Sequence, residues 1–242
     1  MLIVRMRTAH QVLRKLRPES ATGPDGIPTR ILKACAKSLA LPLAKLGRRI
    51  ISAGQWPTSW KTHWVFPLHK KRSRQDPGNY RGIQLTSQLS KAMERLLGHR
   101  FLPYLVNTGA YGDTQYAYTP GRGARDAISY FTLSWLRSMS RGSRIVVYCS
   151  DVSGAFDRVD VGTLSSKLAK TGIDNRVQAV LRSWLAPRQA QVIVKGKASA
   201  RMEMTNMVYQ GTVWGPALWN VRYADTCYAL CSSGFEDMKG SQ

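Results

Sequence analysis

Residues 145–149, which read Ile-Val-Val-Tyr-Cys, are the segment that most constrains the fold of this chain. The run is continuous, apolar and rich in β-branched residues, a composition typical of a strand that is buried on both faces. Such a strand must be covered from both sides, so the run favours a mixed α/β fold.

Helical periodicity dominates the rest of the sequence. A turn at residues 23–26 places Pro28 at the first position of a helix, and apolar residues then recur every three or four positions as far as Ile50. Pro42 lies inside this stripe and is expected to kink or split the helix. Similar patterns predict helices over residues 89–97, 124–139, 164–168, 177–185 and 215–229, and short strands over residues 64–66 and 191–194. The predicted fold class is α/β (α+β), with many helices around a few short strands.

Several side chains have structural interpretations. Thr86 or Ser87 is expected to cap the helix that contains Leu89. The tryptophans interpreted as core residues are Trp56, Trp60, Trp135 and Trp184. Two others lie close to Gln210 and have a better claim to a functional surface, namely Trp214 and Trp219.

The charge of the chain indicates its kind of partner. Lys and Arg number 36 and Asp and Glu number 14, which gives a net charge of +22 and an isoelectric point near 10.4. This excess favours a polyanion, most often nucleic acid and sometimes an acidic membrane surface. No apolar run approaches the ~18 residues of a membrane span, and no signal-peptide core follows Met1. The four cysteines are too scattered for a disulfide framework. We therefore expect an intracellular protein without a membrane partner.

Asp151 is the first candidate for chemistry, because it lies just beyond the predicted strand. A carboxylate in that position is fixed by the sheet while its tip meets solvent, which suits a metal ligand or a catalytic acid. The alternative is an Asp that caps the next turn, and for an isolated Asp this alternative is the commoner. However, Asp157 and Asp160 lie within ten positions, and an acidic cluster in a basic chain favours a divalent metal next to phosphates.

Two further segments are weak signals when each is taken alone. Residues 210–216, Gln-Gly-Thr-Val-Trp-Gly-Pro, could bring backbone N–H groups to a phosphate or a nucleobase, although a simple loop-to-helix junction fits equally well. Arg81 follows the basic run at residues 69–74 and could hold a phosphate through two hydrogen bonds. The alternative for Arg81 is a surface side chain in a turn.

Taken in order, six blocks resemble the reverse transcriptase domain of non-LTR (LINE-type) retrotransposons. The resemblance extends from about residue 20 to residue 230, and the ordered series is far more specific than any one block. The blocks are Gly-Pro-Asp-Gly-Ile-Pro at 23–28, Pro-Leu-His-Lys-Lys at 67–71, Asn-Tyr-Arg-Gly-Ile-Gln-Leu-Thr at 79–86, Gln-Tyr-Ala-Tyr at 115–118, Asp-Val-Ser-Gly-Ala-Phe-Asp-Arg-Val at 151–159 and Gln-Gly-Thr to Leu-Trp-Asn at 210–220.

The resemblance implies a right-hand polymerase architecture. The chain is expected to contain fingers and a partial palm, helix-rich around a small and mostly antiparallel sheet, without a thumb. Residues 1–143 would form a fingers-like region with part of the palm helices, and residues 144–242 a partial palm, within one continuous polymerase-type fragment.

The resemblance also implies the metal chemistry. Asp151 matches the catalytic, metal-binding Asp of the family, and Val152 would offer its backbone carbonyl to the same ion. The implied cofactor is Mg²⁺ (or Mn²⁺), used in a pair to join a deoxynucleoside triphosphate to a primer 3′-hydroxyl on an RNA template.

Nucleotide-binding positions are implied in the same way. Phe156 matches the bulky side chain that stacks under the sugar and excludes a 2′-hydroxyl, and Gln210 and Gly211 match the segment that positions the incoming nucleotide. Asp157, next to Phe156, would brace the turn. Finger residues that would hold the triphosphate are Lys70, Lys71 and Arg81.

The sequence departs from the family in one serious respect, because it contains no Asp-Asp pair. Asp225 follows Gly211 too closely to lie on the palm hairpin that carries this pair, and Asp237 comes where the chain ends. We expect neither to reach Asp151, which predicts a fragment truncated before the hairpin. Its partners would be an RNA template, a DNA primer, deoxynucleoside triphosphates and the missing polymerase segments or companion retrotransposon domains, in the nucleus.

Two alternatives stay open at this point. The first is a catalytically inactive relic that keeps only the basic, nucleic-acid-binding surface. The second is an unrelated basic structural protein, such as a ribosomal component, which explains the charge but not the ordered motifs.

Overall fold

The computed structural model of the protein describes residues 4–232, apart from a few side chains at the end of the last helix. The α-helices are α1 (Met6–Arg14), α2 (Thr29–Ala34), α3 (Ala36–Ala53), α4 (Gln88–Asn107), α5 (Ala124–Ser140), α6 (Val161–Lys170), α7 (Asn175–Leu185) and α8 (Gly215–Ser232). The strands are β1 (Thr62–His69), β2 (Tyr80–Leu85), β3 (Arg188–Val194), β4 (Lys197–Ala198) and β5 (Met202–Met204). Short 3₁₀ turns lie at Thr58–Trp60, Pro77–Asn79 and Ala155–Arg158.

The five strands form one small sheet with the order β2-β1-β3-β4, and β5 also pairs with β3. β1 and β2 form an antiparallel hairpin in which Trp64 lies opposite Leu85. β1 and β3 are parallel, and β3 pairs in antiparallel fashion with both β4 and β5. The predicted mixed α/β class, with many helices around a small and mostly antiparallel sheet, is confirmed.

A local sequence signal accounts for the start of α4. Ser87 caps α4, since its Oγ accepts a hydrogen bond from the Ser90 amide at 3.1 Å, as predicted. Gly23 lies against this cap, and a Cβ on Gly23 would lie 2.6 Å from the Ser87 nitrogen. Glycine is therefore required where the turn at residues 23–26 meets the start of α4.

Pro42 was predicted to kink or split the helix, and the structure excludes the split. The apolar stripe is divided at Cys35, which separates α2 from α3, and α3 continues through Pro42. A proline removes one backbone hydrogen bond from a helix. The buried stripe of α3 includes Ala40 before the proline and Leu43 after it, so packing stabilises the helix on both sides of the proline.

An aromatic cluster forms the centre of the core, at the start of α8. The Trp214 ring lies 5.0 Å from that of Trp56, 5.6 Å from that of Trp184 and 5.1 Å from that of Phe101, measured between centroids. Because Trp214 and Trp219 are both buried, their interpretation as functional-surface residues is wrong. Trp56, Trp60 and Trp184 are core residues as predicted.

The helix α5 has the predicted bounds but not the predicted burial. Of its residues, Ala127 is buried, whereas Ile128, Leu136 and Met139 are each more than half exposed. Trp135 is 38% exposed, so its interpretation as a core residue is wrong. Periodicity identified the helix because it reports an apolar face, but it does not show that another element covers that face.

The strand predicted at residues 145–149 is also wrong. This segment is irregular, and Val146 is 92% exposed. A run of this composition becomes a buried strand only where neighbouring strands supply its hydrogen bonds and other elements cover both faces. None of the strands in the described part of the chain pairs with it, so Asp151 does not lie at the end of a strand.

None of the helices within residues 4–232 combines the length and the apolar character that crossing a membrane requires.

Candidate functional site

The 3₁₀ turn Ala155–Arg158 contacts the segment that leads into α8. The Val208 amide donates a hydrogen bond to the Phe156 carbonyl at 2.9 Å, and Gln210 Nε2 donates one to Asp157 Oδ1 at 3.4 Å. These bonds join two predicted motifs that lie about fifty residues apart in the chain. Burial raises the pKa of Asp157, while the bond from Gln210 acts in the opposite direction.

The Phe156 ring is fixed by aromatic stacking on α8. It lies nearly parallel to the Trp219 ring, with centroids 6.0 Å apart and an interplanar angle of 22°. Trp219 in turn stacks on Tyr223 at 5.5 Å. Phe156 is half-buried, so the turn presents one part of this ring while the helix supports another part.

Gly211, in the segment that leads into α8, lies close to the sheet. Its φ of +74° lies in the left-handed region, and a Cβ built on it would lie 2.9 Å from the carbonyl oxygen of Gln84 on β2. Both observations require glycine. The segment that contains Gln210 and Gly211 therefore touches the turn with Phe156 on one side and β2 on the other.

The β1–β2 hairpin carries the predicted basic residues. Arg81 on β2 lies opposite Leu68 on β1, and both are exposed. The Lys70 amide donates to the Asn79 carbonyl at 2.9 Å and extends the ladder by one pair. Since side chains of a strand alternate between its faces, Lys70 lies on the same face as Leu68 and Arg81.

The loop beyond this pair is ordered by its own hydrogen bonds. Asn79 Nδ2 donates to the Ser73 carbonyl and the Tyr80 hydroxyl to the Arg74 carbonyl, each at 2.9 Å. Lys71 is exposed in this loop. The hairpin therefore presents Lys70, Lys71 and Arg81 to solvent within one compact element.

Asp151 and Val152 are both exposed, in the irregular segment before the turn with Phe156. Among residues 4–232, Asp151 forms no hydrogen bond or ion pair, and no three His, Cys, Asp or Glu side chains gather as a metal site would require. The structure thus brings Phe156, Asp157, Gln210 and Gly211 together but does not draw Asp151 into this group.

Asp225 and Asp237 are the two residues that could serve as further metal ligands. Asp225 lies on α8, where its Oδ1 pairs with Lys167 Nζ of α6. Burial would raise the pKa of Asp225, but the bond and the charge of Lys167 outweigh it and lower that pKa. Asp237 lies outside the described residues.

A buried polar network lies on the inner face of the sheet, next to this site. The Arg188 guanidinium donates to His63 Nε2 at 2.9 Å and to the Trp184 carbonyl at 3.0 Å, and it lies 3.9 Å above the Tyr209 ring. Since Arg188 can only donate, His63 Nε2 accepts, and its Nδ1 donates to Gln84 Oε1 at 3.1 Å. The network links β1, β2 and β3 to the residue that precedes Gln210.

Burial and the Arg188 charge set the protonation states of this network. They lower the pKa of His63 to about 3, so the imidazole is neutral at physiological pH. Burial lowers the pKa of Arg188 to about 10, and the charge of Glu94 counteracts this effect. The guanidinium therefore keeps its charge at neutral pH.

Glu94 is a second buried group that contacts the site. Its Oε2 accepts hydrogen bonds from the amides of Val213, at 2.6 Å, and Trp214, at 3.2 Å, just before α8 begins. Trp214 Nε1 donates to the Glu94 carbonyl at 2.7 Å. Burial raises the pKa of Glu94, whereas Arg188 and the two amides favour the ionised form.

Sequence reasoning missed His63, Glu94 and Arg188. Glu94 lies three residues before Leu97, on the buried face of α4, and a charge on an apolar face is the signal that could have identified it. For His63 and Arg188 the chain offers no comparable signal, because each lies at or near the start of a short strand and the two are 125 positions apart in the sequence.

A sequence model of the family described as "Reverse transcriptase (RNA-dependent DNA polymerase)" matches residues 68–232. The chain is also similar to three proteins of insect mobile elements. It is 28% identical over 223 residues to "Probable RNA-directed DNA polymerase from transposon BS" of Drosophila melanogaster. It is 27% identical to "RNA-directed DNA polymerase from mobile element jockey" of the same species, and 26% identical to "Retrovirus-related Pol polyprotein from type-1 retrotransposable element R1" of Bradysia coprophila.

Each of these alignments covers 92% of this chain but 22–24% of the relative. The chain thus spans about a quarter of the length of these relatives.

Proposed function

Because the chain belongs to the reverse transcriptase (RNA-dependent DNA polymerase) family, we propose that it supplies the nucleotide-selecting part of a retrotransposon RNA-directed DNA polymerase. Its substrates would be an RNA template, a DNA primer and deoxynucleoside triphosphates. The remaining polymerase segments and any companion domains would come from the rest of a longer protein that acts in the nucleus.

The observation that carries the proposal is the contact between the turn with Phe156 and the segment with Gln210. The Val208–Phe156 backbone bond and the Gln210–Asp157 side-chain bond hold the two motifs together. The turn with the half-buried Phe156 ring thereby contacts the segment that carries Gly211, an exposed glycine. This arrangement suits a sugar that stacks on Phe156 and a base pair that rests against Gln210 and Gly211.

The hairpin β1–β2 would hold the triphosphate. Lys70 and Arg81 lie on one face of the hairpin, and Lys71 follows in the ordered loop. Arg81 can bind a phosphate through two parallel hydrogen bonds, and the lysines act as point charges. In this assignment residues 1–143 are the fingers-like region with part of the palm helices, and residues 144–242 are the partial palm.

The described residues do not fit a two-ion metal centre. Asp151 and the Val152 carbonyl are the candidate ligands, and the part of the chain that the structure describes holds no group of three ligating side chains. One carboxylate cannot balance two divalent cations that lie only ~4 Å apart. We therefore assign Asp151 as one ligand for Mg²⁺ (or Mn²⁺) and propose that the other carboxylates come from outside these 242 residues.

A second candidate function is a catalytically inactive domain that binds nucleic acid. The observation in its favour is the exposed, isolated carboxylate of Asp151, combined with the net charge of +22. This alternative keeps the basic surface but needs no selection of the nucleotide.

The role of Phe156 separates these two functions. With a primer–template and Mg²⁺ present, the chain should bind a deoxynucleotide with higher affinity than a ribonucleotide. Phe156→Val should reduce that preference about tenfold or more, because the smaller side chain no longer contacts the 2′ position. Phe131→Val is the matched control, since Phe131 is a stacked aromatic residue of α5. Equal binding of the two sugars by the unmodified chain would contradict nucleotide selection and favour the inactive domain.

A further inference from the structure

The segment of residues 209–214, which contains Gln210 and Gly211, is held at both ends by buried charges. At its start, the Arg188 guanidinium lies 3.9 Å above the Tyr209 ring. At its end, Glu94 Oε2 accepts the amide hydrogens of Val213 and Trp214. Glu94 and Arg188 come from α4 and β3, so two separate elements hold one short segment.

We propose that Glu94 and Arg188 are positioning residues that fix the 209–214 segment for the incoming nucleotide. This inference rests on the proposed function, because Gln210 and Gly211 are the nucleotide-positioning residues of that function. Neither Glu94 nor Arg188 is accessible to substrate, since Glu94 is 0% and Arg188 1% exposed. Both would therefore act only through the segment that they hold.

Glu94 acts where α8 begins. The Val213 and Trp214 amides lie just before the first helical residue, Gly215, and the helix dipole favours a negative charge at this end. The Glu94 carboxylate supplies both the acceptor and the charge from a different helix. The Glu94 carboxyl is fully buried, and the Trp184 indole N–H, the two amides and the Arg188 charge favour its ionised form against the cost of burial.

Arg188 acts on the other end through contacts that restrain Tyr209. Its guanidinium bonds to His63 and to the Trp184 carbonyl, which fixes the cation over the Tyr209 ring. The Tyr209 hydroxyl donates to the Ala186 carbonyl at 2.8 Å, so the ring is held at its edge as well as at its face. A fixed Tyr209 sets the direction in which Gln210 and Gly211 leave the core.

The charges of Glu94 and Arg188 also support each other. Each favours the ionised form of the other across the core, although they form no direct ion pair. Replacement of one charge leaves the other buried without compensation, which is costlier than replacement of a surface charge. Alteration of either residue should therefore loosen the same segment.

Amide hydrogen exchange tests the proposal on the full chain without any need for activity. In Glu94→Ala, the Val213 and Trp214 amides should exchange about tenfold or more faster than in the unmodified chain, because they lose their acceptor. Glu94→Gln keeps an acceptor oxygen and should show a smaller acceleration. Arg188→Met should accelerate the Val208 amide, which bonds to Phe156. Amides of Ile50 and Ile51 in α3 report on the fold as a whole and should not change.

Two outcomes would overturn the proposal. One is unchanged exchange at residues 208–214 in all three variants. The other is equal acceleration of the α3 amides, which would show a general structural role. Arg182→Met is the matched control for Arg188→Met, because Arg182 is an exposed residue of α7 and should leave the exchange of residues 208–214 unchanged.

A second measurement separates this proposal from the proposed function. Binding of matched and mismatched deoxynucleotide on a primer–template should lose several-fold of its selectivity in Glu94→Ala, with recovery in Glu94→Gln. If the unmodified chain binds no nucleotide at all, the proposed function fails, while hydrogen exchange still decides whether Glu94 and Arg188 hold the segment. If nucleotide binds selectively and Glu94→Ala preserves that selectivity, the positioning role fails and the proposed function stands.

Discussion

A Cβ atom on Gly211 would lie 2.9 Å from the carbonyl oxygen of Gln84, on the strand β2. The Gln84 side chain, for its part, accepts a hydrogen bond from His63 in the buried network. Gln84 thus contacts the 209–214 segment with its backbone and the core of the sheet with its side chain. This relationship makes the segment sensitive to changes on both sides of β2.

Gly211→Ala should destabilise the chain more than Gly196→Ala. Both glycines have a left-handed φ, +74° for Gly211 and +77° for Gly196, which costs a non-glycine residue about 1–2 kcal/mol. Only at Gly211 would the new Cβ also meet a backbone atom, since nothing lies within 4 Å of that position at Gly196. Urea unfolding of the two variants measures the difference, and equal losses would show that the contact with Gln84 is not tight.

Acidification should destabilise the fold through His63. Its pKa is lowered to about 3 in the folded state from an ordinary value of 6.5, so the unfolded chain binds the proton more strongly. This stability is fully present above pH 6.5 and is lost as the pH falls toward 3, by up to about 1.4 kcal/mol per pH unit. The free energy of unfolding, measured between neutral pH and about pH 5, should therefore fall.

His63→Gln is the control for this pH effect, because Gln does not titrate. Glu94 acts in the opposite sense, since its raised pKa means that the folded state holds the proton more tightly. The difference between the unmodified chain and His63→Gln isolates His63 from this opposing group. Parallel pH profiles for the two proteins would contradict a neutral, buried His63.

Binding to nucleic acid should depend strongly on salt and weakly on sequence. The chain has a net charge of +22, and contacts to about 6–10 phosphates lower the affinity by roughly 10³–10⁵ between 50 and 200 mM salt. Filter-binding titrations over that range measure the slope. A flat salt response would contradict recognition through phosphates, and a large preference among unrelated sequences would contradict weak sequence dependence.

Polymerisation by the 242-residue chain should be very weak or absent. If the lack of partner carboxylates for Asp151 removes even ~4 kcal/mol of transition-state stabilisation, the rate falls about a thousandfold. Primer extension on an RNA template with Mg²⁺ or Mn²⁺ should show activity only in a version lengthened by an aromatic-Ala-Asp-Asp hairpin. Asp151→Ala should abolish that activity. Robust extension by the 242-residue chain, lost in Asp151→Ala, would contradict this prediction.

Features that depend on residues close together in the chain could be predicted from the sequence. The cap of α4 could be predicted as Thr86 or Ser87 because a hydroxyl before an apolar stripe can accept a hydrogen bond from an amide two or three residues later, and Ser87 is the cap. The predicted helices over residues 164–168 and 177–185 are likewise separate, and Gly172 lies between α6 and α7 with a φ of +73°. These features depend on residues within one helical turn of each other, so they can be recognised without knowledge of the tertiary structure.

The features that sequence reasoning missed depend on distant partners. Glu94 contacts residues about 120 positions away, and Arg188 contacts His63 at a separation of 125. The position of Glu94 on the apolar face of α4 indicates that it is buried, but it does not identify the distant residues that Glu94 contacts. The contact of Gln210 with Asp157 is of the same distant kind, and it was not predicted from the sequence.

The exposed residues 145–149 have a consequence for handling the protein. In this β-branched run Val146 is 92% exposed and Val147 is 56% exposed. Exposed segments of this composition can stack between molecules into cross-β aggregates. Repulsion between chains of charge +22 opposes that stacking, but salt screens it within about 10 Å at 0.1 M. Concentrated stocks should therefore stay clear longest in dilute buffer, and turbidity should rise first where salt is added.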